Sequence, residues 1–356
     1  MYRLNTISST LKSVLSNVDF IRTAANTLHN AIYKNNYFVR SLQPCMPVKY
    51  RCHKILRETK KYYLLAVSLP TLLKSIFHDD EDKDEKTSII MALKRSQLLI
   101  ESKEFAKAEQ MLHVALHQAQ TVQCYEAITY IYDVMANLAF ETGDYRKAET
   151  LFTTLLQRLI SNGVSENDMR VIHISLKMAY IFDQSGETKK AKLGYMFCLE
   201  HLQSHIEQNP EDIDALSFLI VTLDWYGQLL ALQSEYSEAY DHLFHAYNIS
   251  KTLHGDKYKE TVRLLHTLGY ICYLQEKYDE AMNYLSAAVE IGKDLNIYDL
   301  GYMNVSLGYV FLQKGLYNEA KRLCQEGRKI ADNHHDNDTL SYADNCLNQV
   351  KKLLSL

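Results

Sequence analysis

His113 and His117 stand four residues apart, and so do His201 and His205. On a helix this spacing puts two imidazoles on one face, within reach of a shared metal ion. Neither pair carries the glutamate of an HExxH motif, and neither has an obvious third ligand. Both are therefore expected to be solvated histidines on outward helix faces. Cys45, Cys52 and His53 match no common zinc spacing. Cys198, Cys272 and Cys324 recur at apolar positions of a repeating pattern. There a thiol acts as a small hydrophobe, and no base accompanies it to make a nucleophile. The chain has no glycine-rich phosphate loop, no GxSxG and no paired carboxylates outside charged runs. No catalytic residue, cofactor or metal is expected, and the chain is read as a binding protein rather than an enzyme.

The elements that position these side chains are helices. The chain has 356 residues, of which 4 are proline and 12 glycine, so breakers are scarce and long helices are uninterrupted. A formal charge of −4 offers no basic face for a polyanion, which speaks against a nucleic-acid partner. The seven cysteines are odd in number and lack paired spacing. That disfavours a disulfide framework and fits a reducing compartment. Tyrosine is over-represented, 26 residues against a single tryptophan, and suits both helix packing and wet binding surfaces.

An aromatic residue, two variable residues and an alanine recur along the chain. The copies are Phe105–Ala108, Tyr145–Ala148, Tyr236–Ala239, Tyr278–Ala281 and Tyr317–Ala320, with a degenerate member at Thr188–Ala191. Successive alanines lie 40, 43, 48, 42 and 39 residues apart. Each copy is expected to be a helical hairpin. In the fifth, Leu265, Leu268, Gly269 and Cys272 line one helix, and Tyr278, Ala281, Leu285 and Ala288 line the next. Two antiparallel helices approach closely only over small side chains, which places Gly269 and Ala281 at the contact. A single hairpin cannot bury its apolar stripe alone, so the copies must stack. Thr339–Leu354, with Ala343, Leu347, Val350 and Leu354 at helical spacing, is expected to cap the stack.

Residues 1–57 have a different character. Arg3, Lys12, Arg22, Lys34, Arg40, Lys49, Arg51, Lys54 and Arg57 face the single acid Asp19, hydroxyl residues are frequent, and Leu4, Ile7, Leu11, Val14 and Val18 form one stripe. This is the composition of a mitochondrial transit peptide. Residues 58–87 follow as a short apolar segment and an acidic linker. Tyr62–Phe77 is shorter than a spanning helix and contains Pro70 and Lys74. It is read either as a membrane-associated segment or as a linker or capping helix. The acidic run Asp79–Glu85 then marks the boundary of a repeat domain over residues 88–354.

The six copies resemble tetratricopeptide repeats. The fold implied is all-α: a right-handed superhelical array of about six hairpins with a C-terminal capping helix. Three stretches are similar to the mitochondrial tetratricopeptide repeat protein 19 family in particular. They are Tyr132-Asp133-Val134-Met135-Ala136-Asn137-Leu138-Ala139-Phe140, Ala108-Glu109-Gln110-Met111-Leu112-His113-Val114-Ala115-Leu116 and Gly194-Tyr195-Met196-Phe197-Cys198-Leu199-Glu200. The stretch Ile174-Ser175-Leu176-Lys177-Met178-Ala179 agrees with them. The chain departs from the family's Gly-x-x-His-Pro turn, having Gly255-Asp256-Lys257-Tyr258-Lys259 instead. The resemblance implies a mitochondrial inner-membrane protein that assembles or maintains respiratory complex III through its Rieske iron-sulfur subunit. The competing reading is a cytosolic cargo adaptor of the kinesin-light-chain type, which needs no presequence.

In arrays of this kind the first helices line the concave face. The expected protein-binding groove comprises Tyr130, Asp133 and Asn137 of copy two and Tyr180 of copy three. Arg263, His266, Tyr270 and Tyr273 of copy five and Tyr302 and Tyr309 of copy six complete it. Rigid amphipathic rings beside an arginine suit a peptide groove. Asn137 could serve a bound backbone through both its amide groups. These tyrosines equally suit the gaps between neighbouring first helices.

Overall fold

The computed structural model describes residues 83–355. The transit peptide and the Tyr62–Phe77 segment lie outside the described residues. Within them stand thirteen helices and no strand. The first hairpin is α1 (Lys83–Glu101) and α2 (Phe105–Thr121), and the second is α3 (Tyr125–Thr142) and α4 (Tyr145–Ser161). Then come α5 (Met169–Gln184) with α6 (Thr188–Gln208), and α7 (Ile213–Leu232) with α8 (Tyr236–His254). The last two hairpins are α9 (Lys259–Leu274) with α10 (Tyr278–Asp294) and α11 (Leu300–Gln313) with α12 (Tyr317–Asn333). Helix α13 (Asn337–Leu354) closes the array. The fold is therefore an all-α array of six tetratricopeptide-like hairpins and a capping helix. Helix α1 begins at Lys83, inside the acidic run that the sequence reading gave to a linker.

The aromatic-x-x-Ala pattern marks one place in every hairpin. Its first residue opens the second helix each time, and its alanine is fully buried in all six copies. Twelve residues earlier, on the first helix, stands another small residue: Ser96, Ala136, Ala179, Gly227, Gly269 or Gly308. A Cβ on Gly269 would lie 2.7 Å from Leu285 Cγ, and one on Gly227 would lie 2.8 Å from Leu243 Cγ. At these two glycines the helices approach more closely than an alanine would permit, and the partner leucines fill the groove.

The hairpin turns share one backbone geometry despite unrelated sequences. In each, the second or third residue after a first helix donates its amide to a carbonyl five residues back, as in Glu104→Leu99, Glu187→Phe182 and Lys277→Cys272, at 2.8–2.9 Å. A residue with positive φ precedes that donor in every case: Lys103, Gly143, Gly186, Ser234, Glu276 and Gly315. This is the helix-terminating turn that satisfies orphan carbonyls through a left-handed residue. Where side-chain caps occur they are aspartates: Asp144, Asp168, Asp212 and Asp336 each accept an amide at a helix start.

The long interval between the third and fourth alanines is absorbed by helix extension, α6 running 21 residues. Its end is held by His205 Nε2, which lies 2.7 Å from the capping carboxylate of Asp212. The departure at Gly255–Lys259 is a turn in which Tyr258 caps α9 in extended conformation. Its ring lies 4.3 Å from His254, and the Ser250 and Thr261 hydroxyls bond across it at 2.7 Å. Among the described residues α7 alone is long and apolar enough to cross a membrane, but most of it is buried inside the array.

The cap and the cysteines differ from expectation. Helix α13 buries Thr339, Tyr342, Ala343, Cys346 and Val350, whereas Leu354 is exposed. Cys324 is not a free core thiol: its sulfur is bonded to that of Cys346. Scattered spacing argued against a disulfide framework, yet one bond needs only one pair of facing positions, and the α12–α13 packing provides it. Cys198 and Cys272 are free and buried, and burial pushes the Cys272 thiol up to about 11.

Candidate protein-binding face

First helices of neighbouring hairpins touch one another: α1 with α3, α5 with α7, α9 with α11, and α11 with α13. A stack built this way keeps its first helices on the inner side. Residues three, four and seven apart on them form one continuous face. That face carries Asp133, Asn137 and Phe140 on α3, then His173, Lys177, Tyr180 and Asp183 on α5. It continues through Asp224, Trp225 and Gln228 on α7 to the candidate residues of α9 and α11.

Two polar clusters bridge adjacent first helices. On α3, Asn137 Nδ2 donates to the Asp133 main-chain oxygen and to Asp133 Oδ1, both at 2.7 Å. The Lys177 ammonium of α5 donates to Asn137 Oδ1. It also lies 5.8 Å from the centre of the Phe140 ring and 5.9 Å from that of Phe152. Burial lowers the Lys177 pKa to about 8, against the opposing pull of Asp133 and Glu141. Both amide groups of Asn137 are therefore engaged inside the fold rather than held open for a bound backbone. In the second cluster, Arg263 of α9 donates to Asp224 of α7 at 2.8 Å. Gln228 Nε2 holds the other carboxylate oxygen at 2.9 Å.

Aromatic rings run between these clusters. Tyr180 contacts Phe140 at 5.5 Å and Trp225 at 4.6 Å between ring centres. Further along, the His266 ring lies 5.4 Å from Tyr302, and Tyr342 of the cap stacks on Tyr302 at 5.3 Å and on Tyr309 at 4.8 Å. Tyr270 and Tyr273 stack at 6.2 Å, and Tyr273 reaches Tyr278. Of the ten candidate residues, Tyr273 and Tyr302 are partly exposed and the others are buried. Tyr130 stands apart from the rest, in the apolar cluster shared by α1, α2 and α3. Burial, with the Asp133 charge behind it, raises its hydroxyl pKa.

The face also holds residues that sequence reasoning missed. Lys177, Asp224, Gln228 and Tyr342 were absent from the candidate set. The repeat register could have flagged Lys177, because a lysine seldom falls on a buried stripe. The paired histidines lie elsewhere. His113 and His117 are exposed on α2, and His201 packs its ring against Phe197 at 4.2 Å. His205 is engaged with Asp212. No group of three or more potential metal ligands occurs among the described residues.

Comparison with known proteins agrees with this architecture. The tetratricopeptide repeat family matches residues 218–294. The mitochondrial tetratricopeptide repeat protein 19 homolog of Drosophila melanogaster is 34% identical over 278 residues, 78% of this chain and 75% of that protein. The chain belongs to the tetratricopeptide repeat protein 19 family. The human member, tetratricopeptide repeat protein 19, mitochondrial, is 31% identical over 263 residues, covering 71% of this chain and 69% of its own. Among solved structures, BtubC (BKLC) from P. vanneervenii superposes with a TM-score of 0.53 at 20% identity, over 66% of this chain and 92% of its own. Aspartyl phosphate phosphatase F from Bacillus subtilis gives 0.53 at 15% identity, over 83% and 75%. At such identities these two likenesses carry the fold alone, so kinship to the tetratricopeptide repeat protein 19 relatives is what bears on function.

Proposed function

We propose that this member of the tetratricopeptide repeat protein 19 family is a non-enzymatic mitochondrial scaffold that holds another protein on the inner face of its array. The observation that carries the reading is the face itself, in which partly exposed tyrosines at the C-terminal end continue a row of first helices whose α3–α5 and α7–α9 junctions are bridged by charged clusters. Rigid helices fix the rings before a partner arrives, so little conformational entropy is lost on binding. The mitochondrial setting rests on the names of the relatives and on the basic, acid-poor N-terminus.

We assign the partner to respiratory complex III, through its Rieske iron-sulfur subunit, and the site of action to the inner membrane. Association of Tyr62–Phe77 with that membrane is part of the same proposal. The kinship supports this assignment. The test is crosslinking and affinity capture of the full-length protein from its own mitochondria, with N-terminal sequencing of the captured chain. Complex III subunits are expected with a trimmed N-terminus, and a Tyr273→Ala/Tyr302→Ala variant that stays folded is expected to lose them. An untrimmed chain in the cytosol, bound to motor or vesicle proteins, would establish the cargo-adaptor reading instead.

A further inference from the structure

Cys324 and Cys346 are 22 residues apart, one on α12 and one on the terminal helix α13, and their sulfurs are bonded. Both residues are fully buried. Around them pack Val305, Tyr309, Ala320, Tyr342 and Val350. On the far side stands Gly308 of α11, where an added Cβ would lie 2.5 Å from Cys324 Sγ. Three helices therefore converge on one sulfur, and the missing side chain of Gly308 makes room for it. Among the described residues α13 packs on α11 and α12, and the bond ties it to α12. Its Tyr342 stacks on Tyr302 and Tyr309, so whatever holds α13 also sets the C-terminal end of the candidate face.

We propose that the Cys324–Cys346 bond is an oxidative lock on the cap. The repeat domain completes its fold in a compartment that oxidises thiols, and cutting the bond frees α13 together with Tyr342. The consequence for partner binding rests on the function proposed above; the lock itself does not.

The chemistry is thiol–disulfide exchange with a disulfide-bearing oxidant. One cysteine, as thiolate, attacks a sulfur of the oxidant's disulfide, forming a mixed disulfide and expelling one oxidant thiolate. The second cysteine thiolate then attacks the protein sulfur of that mixed disulfide, closing Cys324–Cys346 and expelling the other oxidant thiolate. The protein loses two electrons and two protons, and the oxidant becomes a dithiol. In the finished fold both sulfurs are buried, so a reductant reaches them only when α13 opens. The bond is accordingly durable rather than a rapid sensor.

The test uses the full chain isolated from its own mitochondria with thiols trapped by alkylation before lysis. Peptide mass spectrometry under non-reducing conditions is expected to recover the fragments around Cys324 and Cys346 joined. Amide exchange in α13 is then followed before and after tris(2-carboxyethyl)phosphine. Reduction is expected to speed that exchange by roughly a hundredfold, the scale of releasing a loop of about twenty residues. A Cys346→Ala variant is expected to exchange at the fast rate with or without reductant. Recovery of both cysteines alkylated in the isolated protein overturns the proposal. So does unchanged exchange in α13 after mass spectrometry has verified reduction. Loss of complex III capture with the bond intact would sink the proposed function and leave the lock standing.

Discussion

Gly269→Ala places one methyl group at a close approach of α9 and α10, and the structure gives both sides of its effect. In an unhindered helix the change should stabilise by about 1 kcal/mol, because alanine loses less backbone entropy than glycine. Here the new Cβ would lie 2.7 Å from Leu285 Cγ, 3.0 Å from its Cδ2 and 3.1 Å from its main-chain nitrogen. Ordinary carbon contacts are about 3.5–4.0 Å, so the helices must separate by about 1 Å or Leu285 must leave its rotamer. Leu285 is fully buried between Ala281 and Ala288, and has nowhere to go. Overpacking of this kind costs about 1–3 kcal/mol, more than the propensity gain, so a net loss of about 1–2 kcal/mol is expected. Leu285→Ala alone should cost about 2–5 kcal/mol through its cavity. The double variant should cost less than the sum by about 1 kcal/mol or more, because the alanine methyl then occupies space that Leu285 vacated. Urea unfolding followed by circular dichroism at 222 nm measures the totals. Amide exchange in α9 and α10 localises them, since repeat arrays need not unfold in one step. A neutral or stabilising Gly269→Ala, with an additive double variant, would refute the register and the close approach together.

The other predictions are shorter. Lys177 has its folded pKa lowered from 10.5 to about 8, so the unfolded chain binds the proton more tightly in that window. Stability should therefore rise with pH above about 8, with the burial penalty in full below it; the urea midpoint should show this slope, and Lys177→Met should abolish it. Arg263→Ala strands the Asp224 carboxylate, which is 2% exposed, and should cost about 3–5 kcal/mol in the same assay. Arg263→Met with Asp224→Leu should be milder than Arg263→Ala alone. Glu276→Gly relieves a left-handed residue at φ 61 in an open turn and should stabilise by about 0.5–1 kcal/mol, read as a rise in the urea midpoint.

The fold was legible because its signal is local and repeated. Tyr278 and Ala281 mark a helix start and a contact from a four-residue window, and six copies average out the degenerate Thr188–Ala191. The shared turn geometry was not legible. Lys103, Ser234 and Glu276 adopt a conformation that glycine holds at Gly143, Gly186 and Gly315, and no local propensity of a lysine, serine or glutamate announces it. There the six turns are imposed by the packing of the hairpins, and the residues comply at a small cost.

The inner face was half legible for a related reason. Helical register placed Tyr180, Arg263 and Tyr309 on it, because register depends on spacing along one helix. It could not reveal what each residue meets on the next hairpin, about forty residues away. Arg263 reads as a groove arginine until Asp224 is known to face it, and Asn137 as a free amide until Lys177 does. Cys324 reads as a core thiol until α13 brings Cys346 against it. In each case the missing term is the pairing between hairpins, and in each case that pairing is polar or covalent. Apolar contacts hold neighbouring repeats together without specifying which side chain meets which. The clusters Asp133–Asn137–Lys177 and Asp224–Gln228–Arg263 make the junctions particular, because a shift of either helix by one residue would strand a buried charge. The face that a partner would use is therefore also the place where the array sets its own geometry. That is why the proposed binding role is tested at Tyr273 and Tyr302, which lie outside those polar clusters and are partly exposed, in variants first shown to be folded.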